Sequence, residues 1–138
     1  MCSYSKSYLD EVVENQGKLF DYVAMAYPTK STEDFIIKYM KSKTRKYMDD
    51  GQTYVLTMDY KDLWEYYCQN ENVDIQDGKA IKGFVPDWIG EFYAYYQWFY
   101  NIDSAVVVDK IPVSYLIKAY PGLHDLQLEL AVKKVGEL

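Results

Sequence analysis

Arginine and histidine occur once each, as Arg45 and His124, and cysteine twice, as Cys2 and Cys68. One imidazole and one guanidinium are slender means for acid–base chemistry and for bidentate phosphate recognition, which weighs against an enzyme and against a nucleic-acid binder. Two cysteines make no disulfide framework, and Cys2 sits on a terminus expected to fray. The expected compartment is the cytosol. No apolar run approaches the ~18 residues of a membrane-spanning helix, so no membrane partner is expected. The opening Met1-Cys2-Ser3-Tyr4-Ser5-Lys6 lacks an apolar h-region, and no signal peptide is read there. There is no internal repeat, no low-complexity tract and no Pro/Gly/Ser linker. The expectation is one compact domain over residues 1–138.

What is present is apolar and aromatic. The chain is 49% hydrophobic and 26% charged, which excludes disorder and collagen. At this length a domain buries about two-thirds of its unfolded surface. Sixteen tyrosines stand out. Tyrosine offers a large contact area at low entropic cost, which interfaces favour, yet it also serves a core when its hydroxyl finds a partner. The net charge is −6 and is concentrated: Asp59, Asp62, Glu65, Glu71, Asp74 and Asp77 face only Lys61 in their stretch. Lys38, Lys41, Lys43, Arg45 and Lys46 form the one basic cluster. An acidic chain with one small basic strip is a poor general nucleic-acid binder, because that affinity rests on phosphate neutralisation.

The periodicity predicts an all-α fold, about seven short-to-medium helices around a central aromatic helix, with room for one small β-hairpin. Leu9, Val12, Val13, Phe20, Val23 and Ala24 carry helical spacing over Lys6 to Tyr27, stopped by Pro28. Ser31 reads as an N-cap for a helix to about Asp49, with Gly51 at its exit. Thr53-Tyr54-Val55-Leu56-Thr57 has strand propensity. Asp59 is expected to cap a helix over Tyr60 to about Gln69, followed by an acidic loop from Asn70 to Gly83. Pro86 opens the aromatic helix to Tyr100. Ser104 is expected to cap a short helix to Lys110, Pro112 to open another ending near Tyr120, and Asp125 to cap the last, which ends at Gly136.

Trp88 to Tyr100 holds eight aromatics in thirteen residues. Trp88, Phe92, Tyr95, Tyr96 and Phe99 share one face, while Tyr93, Trp98 and Tyr100 lie elsewhere. The plain expectation is a central helix enclosed by its neighbours. The functional one is that the remaining aromatic side meets a partner, a flat ligand or a second copy in a two-fold dimer. Interleaved acids and tyrosines from Asp59 to Asp77 suit a basic partner surface, though a solvated helix face explains any single residue. Asp74-Ile75-Gln76-Asp77-Gly78 lacks the ligand pattern of a calcium loop. His124-Asp125 lacks the further His or Cys a metal centre needs, and no nucleophile elbow serves His124. Gly78 and Gly83 are isolated, so no phosphate loop is read. No cofactor is expected. The basic strip is also what a helix C-terminus favours, and no recognition helix follows it.

Pro86-Asp87-Trp88-Ile89-Gly90-Glu91-Phe92-Tyr93, Ser104, Ile111-Pro112, Tyr120 and Leu123-His124-Asp125 together resemble small uncharacterised proteins of Gram-positive bacteria tied to mobile elements and toxin–antitoxin-like gene pairs. The resemblance spans roughly Pro86 to Val135 and brings no catalytic residue with it. It implies an antitoxin-like protein that binds and silences a cognate partner. The leading expectation is a non-enzymatic protein-binding module whose surface comprises Asp59, Asp62, Trp64, Glu65, Tyr67, Glu71, Asp74, Asp77, Trp88 and Trp98. One alternative is a phage or mobile-element inhibitor of a defence enzyme (anti-CRISPR or anti-restriction) that acts by acidic mimicry. Another is a small enzyme or ligand-binding domain that uses His124.

Overall fold

The computed structural model describes residues 4–137, and Cys2 lies outside them. The fold is all-α. After a 3₁₀ turn at Lys6–Tyr8, nine helices follow among the described residues: α1 (Leu9–Ala26), α2 (Thr32–Met40), α3 (Lys43–Asp49), the single turn α4 (Thr53–Leu56), α5 (Tyr60–Asn70), α6 (Val85–Tyr100), α7 (Ser104–Lys110), α8 (Val113–Leu123) and α9 (Leu128–Val135).

The central pair is α1 against α6, and its closeness depends on glycine. A Cβ on Gly90 would stand 2.6 Å from the Gln16 carbonyl oxygen and 2.7 Å from Gly17 Cα. That is below any ordinary contact, so a side chain there forces the helices apart. The buried Gln16 amide donates to the Gly90 carbonyl at 2.8 Å, fixing the register of the crossing. The buried apolar side chains form one continuous cluster running from Leu9 in α1 to Val132 in α9. Within α6, Ile89, Phe92, Tyr93, Ala94 and Tyr96 are fully buried, each large side chain contributing about 1.5–3 kcal/mol of transfer free energy. Helices α7, α8 and α9 enclose α6 on its other sides.

Several boundaries differ from expectation, each for a local reason. The helix expected from Ser31 to Asp49 is two helices. The Ser42 hydroxyl donates to the Tyr39 carbonyl at 2.6 Å and accepts from the Arg45 amide at 3.1 Å, so one side chain closes α2 and caps α3. Thr53 to Thr57 is a helical turn and not a strand; Val55 and Leu56 are driven into the core, and packing overrides propensity. Among the described residues there is no hairpin, only an isolated bridge between Lys30 and Asp77. Asp59 does cap α5, accepting from the Asp62 amide at 2.9 Å. Ser104 caps nothing: Asp103 holds the cap position of α7, and the buried Ser104 instead donates from its amide and hydroxyl to Asp49 at 2.8 and 2.7 Å. Nor does Asp125 cap α9, where Gln127 takes that position, because α8 continues through Pro121 to Leu123 and the chain needs the intervening turn.

The lone arginine is the largest fully buried side chain. Arg45 pairs with Asp49 at 3.1 Å, its sole ion-pair partner among the described residues. Burial pushes the Asp49 carboxyl above the usual range, and Arg45 and Ser104 pull it only partway back. This cluster ties α3 to α7 and takes Arg45 out of the basic strip.

Candidate functional site

The acidic stretch divides into a part that builds the fold and a part that faces water. The segment after α5 lies as a strap across the start of α2. The Ser31 amide donates to the Gln76 carbonyl at 2.8 Å, the Gly78 amide to Thr29 at 3.0 Å and the Ile81 amide to the Thr32 hydroxyl at 3.0 Å. Asp77 pairs with Lys30 at 2.7 Å, each holding the other in its charged form. The Asp74 carbonyl accepts from the Lys38 ammonium. Burial pushes the Asp34 carboxyl up, but the Gln76 amide and Lys38 outweigh it and hold it below the usual range. Glu71 receives the Thr44 amide and hydroxyl, both at 2.8 Å, at the start of α3. The carboxylates of Glu71 and Asp77 and the backbone carbonyl of Asp74 therefore fasten the strap. This leaves Asp59 exposed at the cap of α5, Asp62 and Glu65 exposed along it and the Asp74 carboxylate exposed on the strap, the last three without an ion pair among the described residues.

The expected aromatic anchors divide in the same way. Trp88 and Tyr67 are buried, with 7% and 4% of their surface exposed, and present no anchor. Trp98 is half-buried, its indole N–H donating to the Tyr4 carbonyl at 2.9 Å. Tyr93, expected off the packed face of α6, is fully buried and donates to the Ile111 carbonyl. The other aromatic side of α6 is covered by the same chain. The Tyr95 hydroxyl meets Glu129 at 3.5 Å, the Lys133 ammonium stands 5.7 Å from the Phe99 ring, and the Tyr100 hydroxyl donates to Val132 at 3.4 Å.

Trp64, half-buried like Trp98, connects core to surface. Its indole meets the buried Phe35 at 5.8 Å and Tyr67 at 6.0 Å, and on the outside Tyr22 at 6.1 Å and Tyr27 at 5.8 Å. Tyr22 also meets Tyr60 at 6.2 Å. The Tyr60 amide donates to Asn15 at 3.1 Å, pinning the start of α5 to α1. Two adjoining depressions result. One, of about 510 Å³, is lined by Lys18, Asp21, Tyr22, Met25, Ala26 and Tyr60. The other, of about 270 Å³, is lined by Tyr22, Tyr60, Lys61, Trp64 and Glu65. Met25 is 75% exposed and Tyr22 is exposed, while Tyr60 and Trp64 are partly buried against the core, so this face offers apolar surface to solvent. Tyr22, Met25 and Tyr27 were not singled out by the sequence. The available signal was that Tyr22 and Met25 stand three residues apart, off the Leu9/Val12/Phe20/Val23 stripe of α1.

A separate recess of about 220 Å³ gathers Phe84, Asp87, Trp88, Glu91, Tyr120 and His124. Trp88 meets Tyr120 edge-on at 5.5 Å, and His124 stacks on Tyr120 at 4.3 Å. His124 Nδ1 donates to the Tyr120 carbonyl at 2.7 Å, leaving Nε2 facing Asp125 at 3.2 Å. No serine, threonine or cysteine is among the lining residues. Among the described residues, no three His, Cys, Asp or Glu side chains converge as a metal site. No helix there is long and apolar enough to cross a membrane.

Comparison of the chain with protein-family models, with curated proteins and with solved structures finds no match. Much of the motif on which the expected resemblance to small uncharacterised proteins of Gram-positive bacteria rests, Trp88, Ile89, Gly90, Phe92, Tyr93, Ser104 and Ile111, lies in the core. It speaks to how this half packs, and less to what it touches.

Proposed function

We propose that the chain is a non-enzymatic protein-binding module, an antitoxin-like or inhibitory partner of another bacterial protein, acting in the cytosol. The observation that carries this reading is the α1–α5 face, where Tyr22 and Met25 are exposed and Tyr60 and Trp64 partly so, beside the carboxylates of Asp62 and Glu65, which make no ion pair among the described residues. Aromatic anchors rooted in a rigid core lose little entropy on binding. Trp64 fits that role because Phe35 and Tyr67 hold its inner edge. The adjacent acids select a partner of basic character and speed the encounter. With Glu71 and Asp77 engaged by the strap, the acids left available are Asp59, Asp62, Glu65 and Asp74, a short acidic flank and not a long phosphate-like track. This favours an ordinary protein partner over acidic mimicry of nucleic acid.

The test is a binding comparison between wild type and two variants, Trp64→Ala and Asp62→Lys/Glu65→Lys, against the partner co-purified from the native host. Loss of about 2 kcal/mol or more with Trp64→Ala is expected, together with a salt-sensitive fall in association rate for the charge reversal. Full affinity in both variants rejects this face.

A further inference from the structure

We propose that the recess framed by Phe84, Trp88 and Tyr120 and edged by Asp87, Glu91 and His124 binds an alkylammonium group, carried either by a small amine or by a lysine side chain. This goes beyond the reading above, and the recess shares no lining residue with the α1–α5 face.

Charge is the first argument. Asp87 and Glu91 have no ion pair among the described residues. Lys18, whose field reaches Asp87, has its ammonium 3.2 Å from Glu14. The charged groups acting on Glu91 are Asp87 on its own helix and Glu14 on α1; Asp87 in turn feels Asp21, Lys18 and Glu14 of α1, and His124, which lines the recess, has Asp125 beside it. Negative charge exceeds positive around the pair, where Glu14 and Asp21 outnumber Lys18. The Gly17–Gly90 crossing enforces this crowding, because α1 lies so close that a Cβ on Gly17 would meet Asp87 Oδ1 at 2.5 Å and Glu91 Cγ at 2.8 Å. Burial, then the charges of Asp87 and Glu14, push the Glu91 carboxyl up to about 7. A cation entering the recess relieves that repulsion.

The walls decide which cation. With no converging set of three ligands, a metal ion would lack a coordination shell. An exposed aromatic ring beside carboxylates, as Phe84 is beside Asp87 and Glu91, is instead the surroundings that organic ammonium groups favour, since the ring quadrupole attracts a cation that is only weakly hydrated. The 220 Å³ volume is several times the roughly 30 Å³ share of one water, enough for an ammonium head and a short alkyl chain. Phe84 is 82% exposed at the rim, where an alkyl stem would lie against it.

The experiment titrates the ¹⁵N-labelled full chain with n-butylammonium chloride, with a short peptide containing one lysine, and with sodium chloride and n-butanol as controls, at constant ionic strength. The indole N–H resonance of Trp88 is expected to shift saturably with the ammonium probes while those of Trp64 and Trp98 stay in place. Because Glu91 must ionise to engage the cation, affinity is expected to rise about tenfold from about pH 6 to about pH 8. Glu91→Gln is expected to abolish that rise, and Phe84→Ala to weaken binding by about two- to fivefold. Tighter binding of the peptide assigns the site to a lysine side chain, and tighter binding of butylammonium to a free amine. Should Glu91→Gln fail to fold, Phe84→Ala decides, since its ring makes little contact with the core. An equal response to sodium or to butanol, or ammonium binding that neither variant weakens, overturns the proposal.

Discussion

Replacing Asp49 by alanine tests what holds the α3–α7 corner. Asp49 Oδ1 accepts from Arg45 at 3.1 Å and from the Ser104 hydroxyl at 2.7 Å, and Oδ2 accepts from the Ser104 amide at 2.8 Å. Arg45 is wholly buried and has no other carboxylate among the described residues. Arginine does not shed its proton in proteins, so Asp49→Ala strands a full charge inside the core. Breaking such a pair from one side costs about 3–5 kcal/mol. Set against a typical stability of 5–15 kcal/mol, that is a large share, and it lowers the melting temperature by roughly 10–20 °C for a chain of this size. The assay is urea unfolding followed by circular dichroism, with the double variant Arg45→Met/Asp49→Leu beside the single. Removing both charges together is expected to restore most of the loss, because an apolar pair avoids the desolvation that the ion pair only partly offsets. A single variant within about 1 kcal/mol of wild type, or a double variant no better than the single, refutes this reasoning.

Three further outcomes follow from the same geometry. Gly90→Ala adds a methyl 2.6 Å from the Gln16 carbonyl, and the overpacking of about 1–3 kcal/mol outweighs a helix-propensity gain of up to about 1 kcal/mol. By contrast Gly122→Ala, with nothing within 4 Å, is expected to be neutral or stabilising, so the opposite order in denaturant melts contradicts the account of the α1–α6 crossing. For Glu91 the folded state binds its proton more tightly than the unfolded chain does, so stability is highest below the ordinary value of 4.5 and falls as pH rises towards about 7. The full difference would be about 3.4 kcal/mol, which partial exposure to water reduces to about 1–2 kcal/mol; Glu91→Gln should gain that much above neutrality and flatten the profile, and an unchanged pH–stability curve contradicts it. Ser42→Ala removes both the cap of α3 and the closing bond of α2, with an expected loss of about 1–2 kcal/mol in the same melts; no loss means the α2–α3 break is held elsewhere.

The helical class was legible because the apolar residues of α1, α2 and α6 repeat at helical spacing, and most of those residues are buried. The exit at Gly51 and the cap at Asp59 were legible because each depends on one residue's local chemistry. What failed was the assignment of polar residues to local tasks. Ser104 and Asp49 serve each other across 55 positions, and Glu71 serves the start of α3 instead of an acidic surface. Arg45 sits in a run of lysines, and only the approach of Asp49 and the surrounding core sets it apart. Periodicity ranks the faces of one helix but does not say how many neighbours enclose it. For that reason Trp88 and Tyr67 read as anchors, while Tyr22 and Met25, on a helix with one obvious packed stripe, read as nothing.

The most direct measurement is the recovery of the tagged protein from its native host, with mass spectrometry and sizing of the eluate, run in parallel for wild type and Trp64→Ala. The account predicts one stoichiometric protein partner with wild type and its loss with Trp64→Ala, at unchanged helical content. Recovery of the chain alone as a homogeneous species, or a partner retained in full by Trp64→Ala, contradicts it.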